Sequence, residues 1–195
     1  MYYSRLRASV AANWRALVIA TCSAAIVVAA LLYWPSPTPS ANKSTGGPTV
    51  GFALVNRPAP AFSLPQLEGK GTVALSALHG RPVVINFWSS TCAVCKQETP
   101  AIAQVARTLG DRVSFLGIDS FDSRGPALAF INSNHVPYEV AYDPQGSAAD
   151  RYGVPALPET FFLSRSGKQI LGINLGALTP DNLMAILGKL YGVTR

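Results

Sequence analysis

Residues 83–100 read VVINFWSSTCAVCKQETP. The first six, Val83–Trp88, make an unbroken β-branched and aromatic run, the mark of a strand buried on both faces. From Thr91 to Leu109 the apolar residues recur at helical spacing. Cys92 and Cys95 therefore stand where a buried strand hands over to a helix. At a helix N-terminus, free backbone N–H groups and the axial dipole stabilise an anion. A cysteine there ionises near neutral pH, and the thiolate is the form that attacks disulfides. Cys92 is expected to be the exposed nucleophile. Cys95, one turn deeper, is expected to resolve the mixed disulfide by intramolecular attack.

Two blander readings compete. A structural disulfide with a two-residue gap closes almost no loop entropy and is a poor staple. A zinc site needs two further ligands. The two histidines, His79 and His135, lie far apart in unrelated contexts, and Cys22 sits inside an apolar run. No metal is expected. No cofactor is expected either, beyond the redox-active pair Cys92–Cys95 itself.

Outward from the cysteines, strand and helix patterns alternate. Val113–Ile118 (VSFLGI) reads as a second buried strand, and Pro126–Asn134 as a helix opened by proline in its first turn. Tyr138–Tyr142 reads as a strand and Ser147–Tyr152 as a short helix. Thr160–Leu163 and Gln169–Leu175 flank Ser166-Gly167-Lys168, a hairpin turn. Asp181–Leu190 closes the chain as an amphipathic helix behind Pro180. The pattern predicts an α/β fold, a mixed central sheet flanked by helices on both faces.

Toward the N-terminus, residues 16–34 (ALVIATCSAAIVVAALLYW) contain no charge, proline or glycine. A run of that length spans a hydrocarbon core of ~30 Å as a helix. The net charge of +6 is concentrated beside it. No acidic residue precedes Glu68, while 12 basic and 10 acidic residues fall from Arg57 onward. Such a distribution argues against nucleic-acid binding and for membrane orientation, since cationic flanks stay cytoplasmic. Tyr33, Trp34 and Pro35 make a poor context for signal-peptide cleavage, and Cys22 lies within the run rather than at its end, as a lipoprotein would need. The expected organisation is a cytoplasmic N-terminus (1–15), a single transmembrane anchor (16–34), a Pro/Ser/Thr/Gly-rich linker (35–56) and an extracytoplasmic domain (57–195).

The domain resembles the thioredoxin-like fold, in the membrane-tethered bacterial branch typified by TlpA, ResA and CcmG (DsbE). Pro58-Ala59-Pro60-Ala61-Phe62-Ser63-Leu64 resembles that branch's opening APxFxL. Asn86-Phe87-Trp88, followed by Cys92-Ala93-Val94-Cys95-Lys96-Gln97-Glu98-Thr99-Pro100, resembles its NFWAxWCxxCxxExP core. Residues 153–163 (GVPALPETFFL) resemble its GVxxxPxTFLI segment. The resemblance implies a thiol–disulfide oxidoreductase in which Cys92 attacks and Cys95 resolves. It implies that Pro158 is cis and faces the dithiol, leaving the backbone of Leu157 free for strand-like pairing with a substrate. Glu98 is implied as an active-site acid that relays a proton. Glu159 matches the acid of the Pro-Glu-Thr variant seen in cytochrome c maturation reductases.

The sequence departs from the branch at Thr91, where tryptophan is usual. Its aromatic platform is then missing or supplied by Trp88, and a hydroxyl takes its place. Apocytochrome c thiols and a membrane electron donor of the CcdA/DsbD type are the partners the resemblance implies. The opposite direction, a disulfide-forming oxidase of secreted proteins, stays open, because direction depends on reduction potential. A copper-binding assembly factor would need wider cysteine spacing and a well-placed histidine. A peroxidase would need PxxxTxxC, absent at both Cys92 and Cys95.

Overall fold

The computed structural model describes residues 51–194. The expected cytoplasmic N-terminus, the anchor at 16–34 and most of the expected linker lie outside these. Among the described residues no helix is long and apolar enough to cross a membrane.

Eight strands are present among the described residues. Six form one sheet: β1 (Gly51–Pro58), β4 (Val83–Trp88), β5 (Ser114–Ser120), β6 (Glu139–Asp143), β7 (Glu159–Leu163) and β8 (Gln169–Leu175). Their order is β1-β8-β7-β4-β5-β6, with β4, β5 and β6 parallel and the other neighbours antiparallel. The remaining two, β2 (Ser63–Pro65) and β3 (Thr72–Ala74), pair with each other. Four α-helices follow in chain order: α1 (Ala93–Leu109), α2 (Arg124–Ser133), α3 (Ser147–Tyr152) and α4 (Pro180–Tyr191). This is the mixed sheet that the sequence predicts, with the helix and strand spans shifted by one or two residues at most of their ends.

All six residues of β4 are buried because both faces of the sheet are covered. Side chains alternate along a strand. Val83, Ile85 and Phe87 join Tyr152 of α3 and Phe161 in one core. Val84 joins Ile102 of α1 and Leu183 and Leu187 of α4 in the other. Helix α1 ends at Gly110, whose φ of 52° suits a residue without Cβ. Helix α4 carries a full set of end signals. Thr179 accepts a hydrogen bond from Asn182 N, Pro180 opens the first turn, Lys189 lies in the last, and Gly192 closes it in the left-handed region.

One expectation is corrected. Residues 51–56 were assigned by composition to the linker, but they form most of β1 and pair with β8. The pairing has a physical basis in Phe52. Its ring meets Phe162 edge-on, centroids 5.8 Å apart. It lies over Gly172, where any Cβ would come within 2.5 Å of the ring. The folded domain therefore includes residues 51–56.

Candidate active site

The end of β4 feeds the short loop Ser89–Thr91, which delivers Cys92 to the N-cap of α1. Cys92 is half-buried and forms a disulfide with Cys95, whose Cα lies 5.3 Å away. Cys95 is only 1% exposed. The Cys92 sulfur accepts a hydrogen bond from Cys95 N at 3.0 Å. That contact directs a free helix-tip N–H at the sulfur where thiolate charge forms on reduction. The expected order of an outer attacking and an inner resolving sulfur is consistent with this asymmetry. Among the described residues no three His, Cys, Asp or Glu side chains gather in a metal-ligating group.

The loop before β7 closes over the disulfide. The Leu157–Pro158 peptide is cis. The Leu157 carbonyl oxygen lies 3.6 Å from the Cys92 sulfur. Leu157 is half-buried, and Pro158 is buried with its carbonyl accepting from Gly176 N at 2.9 Å. Val94, between the cysteines, is 42% exposed. The outer sulfur thus faces the backbone of Leu157.

Two buried carboxyls stand on opposite sides of the sheet. Glu98 is 1% exposed on the inner face of α1. Its Oε1 accepts from Asn86 Nδ2 at 2.6 Å and its Oε2 from Leu178 N at 2.8 Å. Burial pushes its pKa up to about 7, outweighing the two donated hydrogen bonds. Glu159, the first residue of β7, points to the opposite face of the sheet from Thr160, which binds Asn86. It too is buried and raised to about 7 by loss of solvent, with Arg57 opposing.

The remaining sequence-predicted residues sit apart from the dithiol's open side. Trp88 is 3% exposed and stacks on Phe130 of α2 with centroids 4.9 Å apart. It supports the site from below and offers no platform to an incoming chain. Thr91 is exposed, and its hydroxyl is engaged with Ser89 Oγ at 2.9 Å. Three polar residues without an assigned role in the sequence reading also belong here: Asn86, Asp119 and Asp122. Asn86 carried a signal, since an amide in the apolar run VVINFW must find a buried partner. Asp119 carried the same signal in the strand that begins VSFLGI.

A strand–loop–helix delivering a CxxC pair opposite a cis-proline loop is the frame in which relatives can be compared. The AhpC/TSA family model matches residues 55–169. The chain belongs to the AhpC/TSA family. Its AhpC/TSA domain is thioredoxin-like. Among curated proteins it is similar to the thiol:disulfide interchange protein DsbE of Allochromatium vinosum, 39% identical over 116 residues, covering 58% of this chain and 63% of that one. It is also similar to a DsbE homolog of Paracoccus denitrificans, 34% identical over 132 residues, covering 67% and 71%. Among solved structures, the DsbF homologue of Corynebacterium diphtheriae superposes with a TM-score of 0.67 at 25% identity, covering 74% of this chain and 96% of that one. Matches to the first DsbE relatives span about three fifths of those proteins' length.

Proposed function

We propose that the chain is a thiol–disulfide oxidoreductase that reduces protein disulfides outside the cytoplasm, with apocytochrome c thiols as the substrate class. The observation that carries the reading is the placement of the Cys92 sulfur. It caps a helix, accepts the Cys95 N–H at 3.0 Å and lies 3.6 Å from the Leu157 carbonyl. The names of the DsbE relatives support the same chemistry.

In the reduced domain the Cys92 thiolate attacks one sulfur of a substrate disulfide. The substrate's second sulfur leaves as a thiolate and takes a proton, and a mixed disulfide forms. Cys95 then gives up its proton and attacks the Cys92 sulfur, releasing the substrate's first sulfur as a thiolate, which takes up a proton from solvent. The substrate has gained two electrons and two protons, and the domain is left with the Cys92–Cys95 disulfide. Glu98, on the same helix as Cys95 and held near neutrality by burial, receives the Cys95 proton. The Leu157 backbone lines up the substrate strand beside the sulfur. A membrane thiol carrier of the CcdA/DsbD type restores the dithiol. The N-terminal segment 16–34 anchors the domain as a single pass, with residues 1–15 cytoplasmic and the catalytic domain on the outer side. No cofactor takes part.

Equilibration of the full-length chain with glutathione tests the direction. A reduction potential near about −250 mV or lower fits a reductase, at the thioredoxin end of the scale. A value near about −120 mV would make the protein an oxidant and overturn the proposal.

A further inference from the structure

The loop that presents Cys92 is held by a carboxylate from outside the family motif. Asp122 lies just past β5. Its Oδ2 accepts from Ser90 N at 2.5 Å and from Ser89 Oγ at 3.2 Å. Ser89 Oγ also accepts from Thr91 N at 3.3 Å and pairs with the Thr91 hydroxyl at 2.9 Å. Cys92 N in turn donates to Ser89 O at 3.1 Å. A single carboxylate thus holds Ser89 and Ser90 directly and Thr91 through the Ser89 hydroxyl. Thr91, where an aromatic residue is usual in the branch this chain resembles, is the outer end of that polar chain.

Behind Asp122 stands Asp119, fully buried, with neither carboxyl oxygen in a conventional hydrogen bond. It shares its face of the sheet with Trp88 and Cys95, since Phe115 on the same strand packs with α1. The charged groups around it are Asp122 from the loop, Asp143 from the end of β6 and Arg124 from the start of α2. Arg124 divides its charge. It donates to Gln66 O and Leu67 O and lies over the Tyr142 ring at 4.6 Å. The Tyr142 hydroxyl donates to Asp122 O at 3.3 Å.

We propose that Asp122 is a positioning residue for Cys92 and that Asp119 is its proton-holding partner, so that the charge of this pair sets how readily the Cys92 thiolate forms. Two adjacent carboxyls do not both ionise easily. Burial and the neighbouring Asp122 raise Asp119 to about 8, while Asp122 is lowered because hydrogen bonds from Ser90 and Ser123 outweigh its burial. Near neutral pH the pair therefore carries one negative charge, on Asp122, and takes on a second at alkaline pH. Negative charge behind the loop opposes the helix tip and raises the proton affinity of the Cys92 thiol. The inference rests on Cys92 being the attacking thiol and holds for either direction of electron flow.

The test is the pH dependence of iodoacetamide alkylation at Cys92 in the reduced full-length chain. It is read by peptide mass in a Cys95→Ser background, where the tryptic peptide holds one cysteine. Asp122→Asn keeps an acceptor for Ser90 N and removes the charge. It is expected to speed alkylation at pH 6 by roughly 2–5-fold. Asp119→Asn keeps the shape and removes the proton site. It is expected to turn a profile broadened by a second, alkaline ionisation into a single ionisation, and it decides the matter if Asp122→Asn does not fold. Profiles for both variants that superimpose on the parent's, or slower alkylation in Asp122→Asn, overturn the inference. A parent chain inert at Cys92 overturns the oxidoreductase reading instead.

Discussion

Asn86 and Glu98 meet across the seam between β4 and α1, with Asn86 Nδ2 donating to Glu98 Oε1 at 2.6 Å. The same amide donates to Thr160 Oγ1 at 3.0 Å on β7. One buried amide thus joins the strand before the dithiol, the helix that carries it and the strand behind the cis-proline loop. The acid held there is neutral or charged according to pH around neutrality.

That acid gives the fold a pH-dependent weakness. Glu98 is raised from 4.5 to about 7 by burial, so folding favours its protonated form. Its contribution is fully present below about 4.5 and lost as pH rises through about 7, because the unfolded chain ionises first. The full loss is on the order of 3 kcal/mol. Glu159 acts in the same direction. The native chain is expected to have a lower urea midpoint at pH 8 than at pH 5, and Glu98→Gln to narrow that gap. Glutamine fits because its oxygen accepts from Leu178 N and its amide donates to Asn86 once that amide turns over. An unchanged gap would remove Glu98 from the account.

The asymmetry of the two sulfurs predicts a split in function. Cys92→Ser is expected to abolish insulin disulfide reduction, since no other sulfur reaches the surface of this site. Cys95→Ser keeps the outer nucleophile and loses the resolving one, so stable mixed disulfides accumulate on non-reducing gels. Reversed behaviour of the two variants would exchange the roles given to Cys92 and Cys95.

The strand–CxxC–helix segment was legible because two periodicities change at one point, from a run of six buried residues to a 3.6-residue repeat. Helix α4 was legible from Pro180 and its apolar face. Strand β1 was not. It follows a Pro/Ser/Thr/Gly-rich stretch, its pairing with β8 is interrupted by a bulge between Leu54 and Arg57, and Phe52 and Val55 pack into the cores on opposite faces of the sheet, so no single apolar face shows in its sequence. Strands β2 and β3 are three residues each, too short to show a period. The cysteine pair and Glu98 stood in a local motif. Asp119 and Asp122 join the site only through parallel pairing of β4 with β5, a contact that no local pattern encodes.

The recovered strand supplies its own test. Phe52 is partly buried against Phe162, with the Lys189 ammonium 5.8 Å from its ring centroid. Phe52→Ala removes that packing and leaves the space above Gly172 open. A loss of about 1–2 kcal/mol is expected, less than for a fully buried phenylalanine. The measurement is urea unfolding of the full-length chain. A variant as stable as the parent would mean that β1 adds nothing to the sheet's stability.

Tyr152 offers the opposite case, a polar group whose removal should help. Its ring is fully buried, with centroids 5.3 Å from Phe87, 5.0 Å from Phe161 and 6.2 Å from Phe62. Its hydroxyl has no hydrogen-bond partner. An unpartnered buried hydroxyl carries a desolvation cost of about 1–3 kcal/mol, whereas the ring supplies the packing. Tyr152→Phe keeps the ring and deletes the cost, so the melting temperature is expected to rise, by about 2–4 °C for each kcal/mol recovered. Tyr152→Ala deletes both and is expected to cost about 3–5 kcal/mol. The hydrogen bond from the Arg57 guanidinium to the Tyr152 backbone O, 2.7 Å long, is common to all three chains and cancels in the comparison. A fall of several degrees in Tyr152→Phe would show that the hydroxyl is bonded in solution, with a buried water as its partner.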